Sequence, residues 1–370
     1  MSVTAVCEEV VLDVQGGVGF ITLNRPKALN ALSLDMVRAL SAALVAWRDD
    51  AGVHAVAIRG SHKEGVFGSF CAGGDIRFFH AAALAGDPAL EDFFTEEYAL
   101  NHLIHTYPKP YIAFIDGIVM GGGMGISQGA SHRVVTSNTK MAMPETHIGL
   151  FPDVGGGYFL SRCPGFTGEW LALTGTVIHA DTAVALGLAD CCMRPEDLGN
   201  AWAALSRLDW THADPLAPWL ATYSIAIGAY PVSAREQIDS IFSVDSVAAM
   251  LALLEADERE WAQQTAATLR KRSPLMLHVT LAQIRRARGL SLAEDLRMER
   301  DLVRHCFAPR HLGRSVAQSE SVEGIRALVI DKDHHPRWMP ASVEEVTPAM
   351  VEPFFTSPWP AQAHPLRHLG

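Results

Sequence analysis

Three short runs in the first half of the chain, Ala55 to Ile58, Tyr111 to Ile115 and Arg133 to Thr136, read as strands that are mostly apolar on both faces. Strands of that kind must be covered on both sides, which limits the fold to an α/β layer architecture. A helix before them fits the requirement: Ser33 stands as its N-cap, and Leu34, Val37, Leu40, Leu44 and Trp47 recur at the spacing of one buried helical face. Ahead of it, Val10 to Val14 and Gly19 to Leu23 read as paired strands around a Gln15-Gly16-Gly17 turn. After about residue 205 the β signal fades, and long helical patterns follow around Val247 to Leu269 and Leu275 to Arg288. The expected division is an α/β core over residues 1–205 and a mainly helical C-terminal region over residues 206–370. Pro336, Trp338, Pro340, Pro353, Pro358 and Trp359 give the last stretch the look of an extended tail over the surface.

Composition narrows the partners. A net charge of −11 disfavours a general nucleic-acid binder, because binding a polyphosphate needs a cationic face. The opening MSVTAVCEEVVLDVQGG lacks the basic start and apolar core of a leader, and no apolar run is long enough to span a membrane. Cys7, Cys71, Cys163, Cys191, Cys192 and Cys306 form no CxxC pair, so a reducing cytoplasm is expected, with neither a zinc knuckle nor a disulfide framework.

The chemistry concentrates in residues 117–160, GIVMGGGMGISQGASHRVVTSNTKMAMPETHIGLFPDVGGGYFL. Gly121 to Gly123 follow an apolar strand and let the main chain approach a ligand with its N–H groups. Glu145 and Asp153 supply carboxylates that can move protons or activate water. A second glycine turn, Phe70-Cys71-Ala72-Gly73-Gly74-Asp75, also leads from a β-like stretch into a helix that Asp75 would cap. Alone it is only a tight turn. Two such turns suit an oxyanion hole, which needs two convergent donors, and Gly74 and Gly122 are the donors chosen. No GK[ST] ending makes the cluster a nucleotide P-loop, and no clean Gly-x-Gly-x-x-Gly opens a first βαβ unit. Simpler readings stand beside these: Asp153 as a helix cap, Glu145 as a first-turn acid, Cys71 as a buried thiol, and His334 and His335 as surface histidines. No metal is expected.

FCAGGD, GIVMGGGMGIS, MPETHIGLFPDVGGGYF and ALTG at 172–175 together resemble the enoyl-CoA hydratase/isomerase superfamily, the crotonases. NRPKALNAL at 24–32 is similar to that family's CoA-contacting opening, and VEGIRALVIDKDHHPRW at 322–338 looks like the signature of its 3-hydroxyisobutyryl-CoA hydrolase branch. The likeness runs from about residue 10 to 345. It implies a crotonase-like spiral of repeated ββα units followed by a helical C-terminal region. It also implies that Gly74 and Gly122 hold the thioester oxygen, that Glu145 and Asp153 are catalytic, and that Glu97 lies in the substrate pocket. Glu97 has a plainer reading as a solvated helix charge beside Glu96. Lys27, Ala28, Ala72, Asp75 and Ile76 match positions lining the CoA groove, where Arg25, Arg59, Lys63 and Arg77 could offset phosphate charge.

One departure bears on the reaction. A hydratase grips water with two glutamates, the first at the position held here by Gly125, so that carboxylate is absent. Thioester hydrolysis asks for less proton traffic, since a thiol of pKa about 8.5 leaves readily once the oxyanion is held. The implied activity is hydrolysis of a short 3-hydroxyacyl-CoA, 3-hydroxyisobutyryl-CoA foremost, as in valine breakdown. The substrate brings its own CoA and no separate cofactor is expected. A hydratase or isomerase and a non-catalytic acyl-CoA-binding protein are the rivals. Crotonases commonly form trimers, so a homo-oligomer is expected.

Overall fold

The computed structural model describes residues 7–63, 65, 67–228 and 232–370. The first six residues of the N-terminal stretch, and residues 64 and 66 leading into the first glycine turn, lie outside the described residues. The chain divides into two compact units, one of residues 1–74, 99–142 and 177–230, the other of residues 75–98, 143–176 and 231–370. In place of a single boundary near 205, both units draw on several stretches of chain, and the first extends past that point.

Among the described residues the first unit holds nine strands: β1 (Val10–Gln15), β2 (Val18–Leu23), β3 (Ala55–Gly60), β4 (Tyr111–Ile115), β5 (Ile118–Met120), β6 (His132–Thr136), β7 (Lys140–Ala142), β8 (Cys191–Met193) and β9 (Ser224–Ile225). They form a seven-stranded sheet ordered β1-β2-β3-β4-β6-β8-β9 and a two-stranded sheet of β5 and β7. The hairpin and the strands read from sequence are present, with β1 and β2 antiparallel and β2, β3, β4, β6 and β8 parallel. The helix Leu34–Asp49 links β2 to β3, and the Ser33 hydroxyl accepts from Met36 N at 3.3 Å as its cap. Phe20, Ile112 and Phe114 on one side of the large sheet pack with Trp219 and Leu205 in a buried core. That burial answers the two-sided apolar pattern of the strands.

Each turn of the chain sends one strand to the large sheet and the next to a smaller layer. β4 is followed by β5 and β6 by β7, and isolated bridges extend the small layer from Cys71 to Val119 and from Met141 to Ile178. This is the expected crotonase spiral. It places Cys71, one turn earlier in the chain, beside β5, so that the two glycine turns become neighbours despite lying about fifty residues apart.

The second unit is mainly helical. Phe79, Phe93, Phe94 and Phe307 bring the helices Ile76–Ala85, Ala89–His105 and Leu292–Phe307 together, with the Phe79 and Phe93 rings 4.8 Å apart. The long pattern expected over Val247 to Leu269 is two helices, Val247–Ala256 and Glu260–Leu269. Asp257 breaks it: its carboxylate accepts from Arg259 N at 2.9 Å and pairs with the same residue's guanidinium, a local turn that competes with helix. The C-terminal stretch differs from an extended tail. It folds into short turns, Val343–Glu345, Pro348–Val351, Glu352–Phe355 and Ala361–Ala363, with Phe354 and Leu366 buried. Apolar side chains between the prolines have enough area to anchor it.

Candidate functional site

In the first unit the spiral assembles a backbone site. Cys71 N donates to Ile118 O at 3.1 Å and Met120 N donates to Cys71 O at 3.0 Å, locking the first glycine turn beside β5. Gly73 (φ 105) and Gly121 (φ 49) both adopt left-handed backbone, which a side chain would strain. A methyl on Gly73 would stand 3.3 Å from Met120 O and 3.6 Å from Gly122 N, so the turns touch at one chosen donor, Gly122, and at the residue before the other, Gly74. Gly122 opens the helix Gly122–Gln128, and its N–H therefore has no intrahelical acceptor. Gly125, where a hydratase carries glutamate, is buried in that same helix.

The turn of residues 24–32 is fastened to the same place. Asn30, fully buried, accepts from Arg25 N at 2.8 Å and donates to Ser61 O and Ser69 O at 3.1 and 2.8 Å. Ala72 N donates to Leu29 O and Leu32 N to Gly73 O, which sets Lys27 and Ala28 near Ala72. Lys27 and Lys63 are exposed. Arg59 is engaged elsewhere: its guanidinium lies over the Phe67 and Trp202 rings at 4.9 and 4.4 Å, and its Nε donates to Thr22. Arg25 pairs with Glu9 at 3.1 Å. Asp75 and Ile76 open a helix in the second unit, where the Asp75 carboxylate accepts from Phe78 N as its cap, and Arg77 is exposed.

The second unit gathers the acids. Glu97, Glu145 and Asp153 are 2, 6 and 5% exposed, which rules out the solvated reading of Glu97. Asp153 is not a side-chain cap. Its Oδ2 accepts from the Tyr98 hydroxyl at 2.8 Å, and only its main-chain carbonyl meets Gly156 N. Glu145 begins a short helical turn, Glu145–Ile148, as its position after Pro144 suggested. Burial pushes the Asp153 carboxyl up to about 6, with the Tyr98 hydrogen bond opposing the rise. Glu97 and Glu145 are raised well above the usual carboxylate range, first by burial and then by the charge of Asp153. Three acids that repel in a dry site titrate as one unit and hold acid and base together near neutrality. Glu97 Oε1 and Glu145 Oε2 are buried polar atoms that no described residue satisfies.

Behind Asp153 stands a set that sequence reasoning missed. Glu299 accepts from Gly155 N at 2.7 Å, Gly157 N at 2.9 Å and Gln283 Nε2 at 3.0 Å; Asp295 accepts from Tyr158 N at 2.8 Å. Both acids are fully buried on the helix Leu292–Phe307. The signal was available: Asp295 and Glu299 lie on the same stripe as Leu292, Leu296 and Val303, where a solvated acid does not belong. Tyr98 offered no signal beyond adjacency to Glu97.

Comparison with known proteins converges on one family. Residues 18–355 match the family described as enoyl-CoA hydratase/isomerase. The chain is 41% identical over 355 residues to the mitochondrial 3-hydroxyisobutyryl-CoA hydrolase of Xenopus tropicalis, spanning 94% of this chain and 89% of the relative. A crystal structure of a carnitinyl-CoA dehydratase from Mycobacterium thermoresistibile superposes with a TM-score of 0.85 at 39% identity, covering 96% of this chain and 98% of that one. An enoyl-CoA hydratase from Rhodobacter sphaeroides gives 0.83 at 35% identity, covering 95% and 98%.

Proposed function

The chain belongs to the enoyl-CoA hydratase/isomerase family, and we propose that it hydrolyses a short 3-hydroxyacyl-CoA thioester, 3-hydroxyisobutyryl-CoA foremost, to the free hydroxy acid and CoA. The observation that carries this reading is the buried trio Glu97, Glu145 and Asp153 in a chain that has glycine at position 125. A hydratase would need its first glutamate there. The name of the 41% identical relative supports the same reaction.

In the proposed mechanism the thioester oxygen takes hydrogen bonds from Gly74 and Gly122 N–H, which stabilise the charge that develops as the carbonyl carbon becomes tetrahedral. Lys27, Ala28, Ala72, Asp75 and Ile76 hold CoA, and Glu97 faces the acyl group. Asp153 is the first of the trio to ionise, so the proton rests on Glu145 at neutral pH, and Glu145 reacts from the minor form in which that proton has passed to Asp153 or to solvent. Glu145 then either deprotonates the attacking water or attacks the carbonyl itself, giving a mixed anhydride that water opens. In both routes the tetrahedral centre collapses by breaking the C–S bond and CoA departs as thiolate. One turnover in 18O water followed by weighing the Glu145 peptide distinguishes them, since only the anhydride route leaves label in the protein.

A thiol-trapping assay tests the function. Release of thiol from 3-hydroxyisobutyryl-CoA or 3-hydroxypropionyl-CoA is expected, and release from neither removes the reading. The names of the two solved neighbours favour a second reading, hydration or dehydration, with Asp153 replacing the missing glutamate. That enzyme would consume crotonyl-CoA without freeing thiol.

No helix among the described residues is long and apolar enough to cross a membrane. We place the chain in a reducing compartment, the cytoplasm; the Xenopus relative is named as mitochondrial, and cell fractionation decides between the two. A homo-oligomer of trimer type is the expected assembly, measurable by light scattering.

A further inference from the structure

Val154, immediately after Asp153, has φ 58, a left-handed conformation that a β-branched residue resists. Gly155 continues it at φ 88. Backbone strain of this kind survives only where the surroundings over-determine it. The helix Leu292–Phe307 supplies that restraint. Glu299 holds the N–H groups of Gly155 and Gly157 with its two carboxyl oxygens, on either side of the Gly156 N–H that closes the turn onto Asp153 O at 2.8 Å. Gln283 Nε2 ties the same carboxylate to Pro152 O, at 3.0 and 2.6 Å, so both ends of the 152–157 turn are fixed from the C-terminal helices. Asp295 secures Tyr158 N one residue further on. No room is left for slack: a methyl on Gly157 would lie 2.3 Å from Asp295 Oδ1.

From this geometry we infer that Glu299 is a positioning residue for the reaction: it clamps the strained turn 153–157 and thereby fixes where the Asp153 carboxyl points. The inference rests on the reading of Asp153 as a reacting carboxylate. It gives the helical C-terminal region a part in catalysis, since the group that aims Asp153 is borne by a helix of that region. This buried acid accepts from two backbone N–H groups of one loop and from the Gln283 amide, and it is hydrogen-bonded to Asp295, which holds the same loop; an apolar residue in its place would leave two buried N–H groups unpaired.

A double-mutant cycle separates positioning from simple support of the fold. Glu299→Ala is expected to lower kcat for thiol release by about 10–100-fold with KM changed far less, because a misplacement near 1 Å costs that much. In an Asp153→Asn background the same change is expected to lower kcat less than about 3-fold, since the carboxylate it aims is gone. Glu299→Gln keeps one acceptor oxygen and should recover part of the loss, and it serves in the same cycle if the alanine variant does not fold. Equal factors in both backgrounds, or wild-type kcat in both Glu299 variants, would overturn the inference. Failure of the functional reading looks different: the unsubstituted protein would then release no thiol at all.

Discussion

Tyr98 and Asp153 are joined by a hydrogen bond of 2.8 Å between two buried side chains, with the phenol donating to Oδ2. The bond favours the ionised carboxyl, while burial favours the neutral one, and the balance leaves Asp153 near 6. Glu97, next to Tyr98 on the same helix, is coupled to Asp153 through charge. One helix thus carries, at adjacent positions, an acid of the trio and the hydrogen-bond donor to another.

Removing the phenol should therefore move the titration in a known direction. Tyr98→Phe takes away a bond to the charged form, so the folded-state pKa of Asp153 rises further and the acidic limb of the kcat/KM profile shifts to higher pH. A hydrogen bond to a charged group is worth about 1.5–3 kcal/mol, or roughly one to two pH units. A limb that stays in place would dissociate Tyr98 from the ionisation.

Glu145→Gln is expected to reduce kcat for thiol release at least ~100-fold, the usual contribution of a general base, with a smaller change in KM. The glutamine cannot accept a proton or form an anhydride. Steady-state kinetics with 3-hydroxyisobutyryl-CoA give the answer, and activity within a few-fold of the unsubstituted protein would remove Glu145 from the chemistry.

The acids should also make the fold weaker as pH rises. For Asp153 the folded pKa of about 6 lies above the ordinary aspartate value of 3.8. Below both values the carboxyl is protonated in either state and contributes nothing. Between them the unfolded chain releases its proton and the folded chain keeps it, so stability falls as pH climbs from about 4 to about 6 and stays reduced above that. The shift corresponds to about 3 kcal/mol, and Glu97 and Glu145 act with the same sign. Asp153→Asn should accordingly raise the melting temperature at pH 7–8 and have little effect near pH 4. A stabilisation of equal size at both ends would sink the linkage argument.

Much of this arrangement was legible in the sequence because it depends on local rules. Ser33 and Asp75 announced their helices as caps, β4 showed its two-sided burial as an uninterrupted apolar run, and Gly121 to Gly123 announced a close backbone approach. That Gly73 and Gly122 would touch follows from the spiral, which the family resemblance supplied and periodicity alone does not. The clamp escaped notice for a different reason. Asp295 and Glu299 look like ordinary helical acids until the helix face they share is known to be buried, and their partners are main-chain groups about 140 residues away. Backbone N–H groups carry no sequence signature. Arg59 shows the same limit from the other side: a cation near a proposed CoA-binding turn suggested phosphate, and its guanidinium lies against aromatic rings that the sequence does not place beside it.

The contact between the glycine turns can be tested by adding one methyl group at a time. A Cβ at Gly123 would fall 2.3 Å from Cys71 O, closer than any real contact, and the obstacle is backbone that cannot swing aside. Relief requires moving Cys71 away from β5, which would carry Gly73 and Gly74 with it and spread the two proposed donors. Gly123→Ala should therefore lose thiol release by ~100-fold or more, the cost of one oxyanion donor, together with a lower melting temperature. Gly199 provides the matched control, because it sits in the helix Leu198–Leu205 with nothing within 4 Å of a added Cβ. There the same substitution should leave kcat unchanged and raise stability by up to ~1 kcal/mol, since alanine is the better helix former. Equal kinetics for the two variants would mean that the closeness of the glycine turns has no part in the reaction.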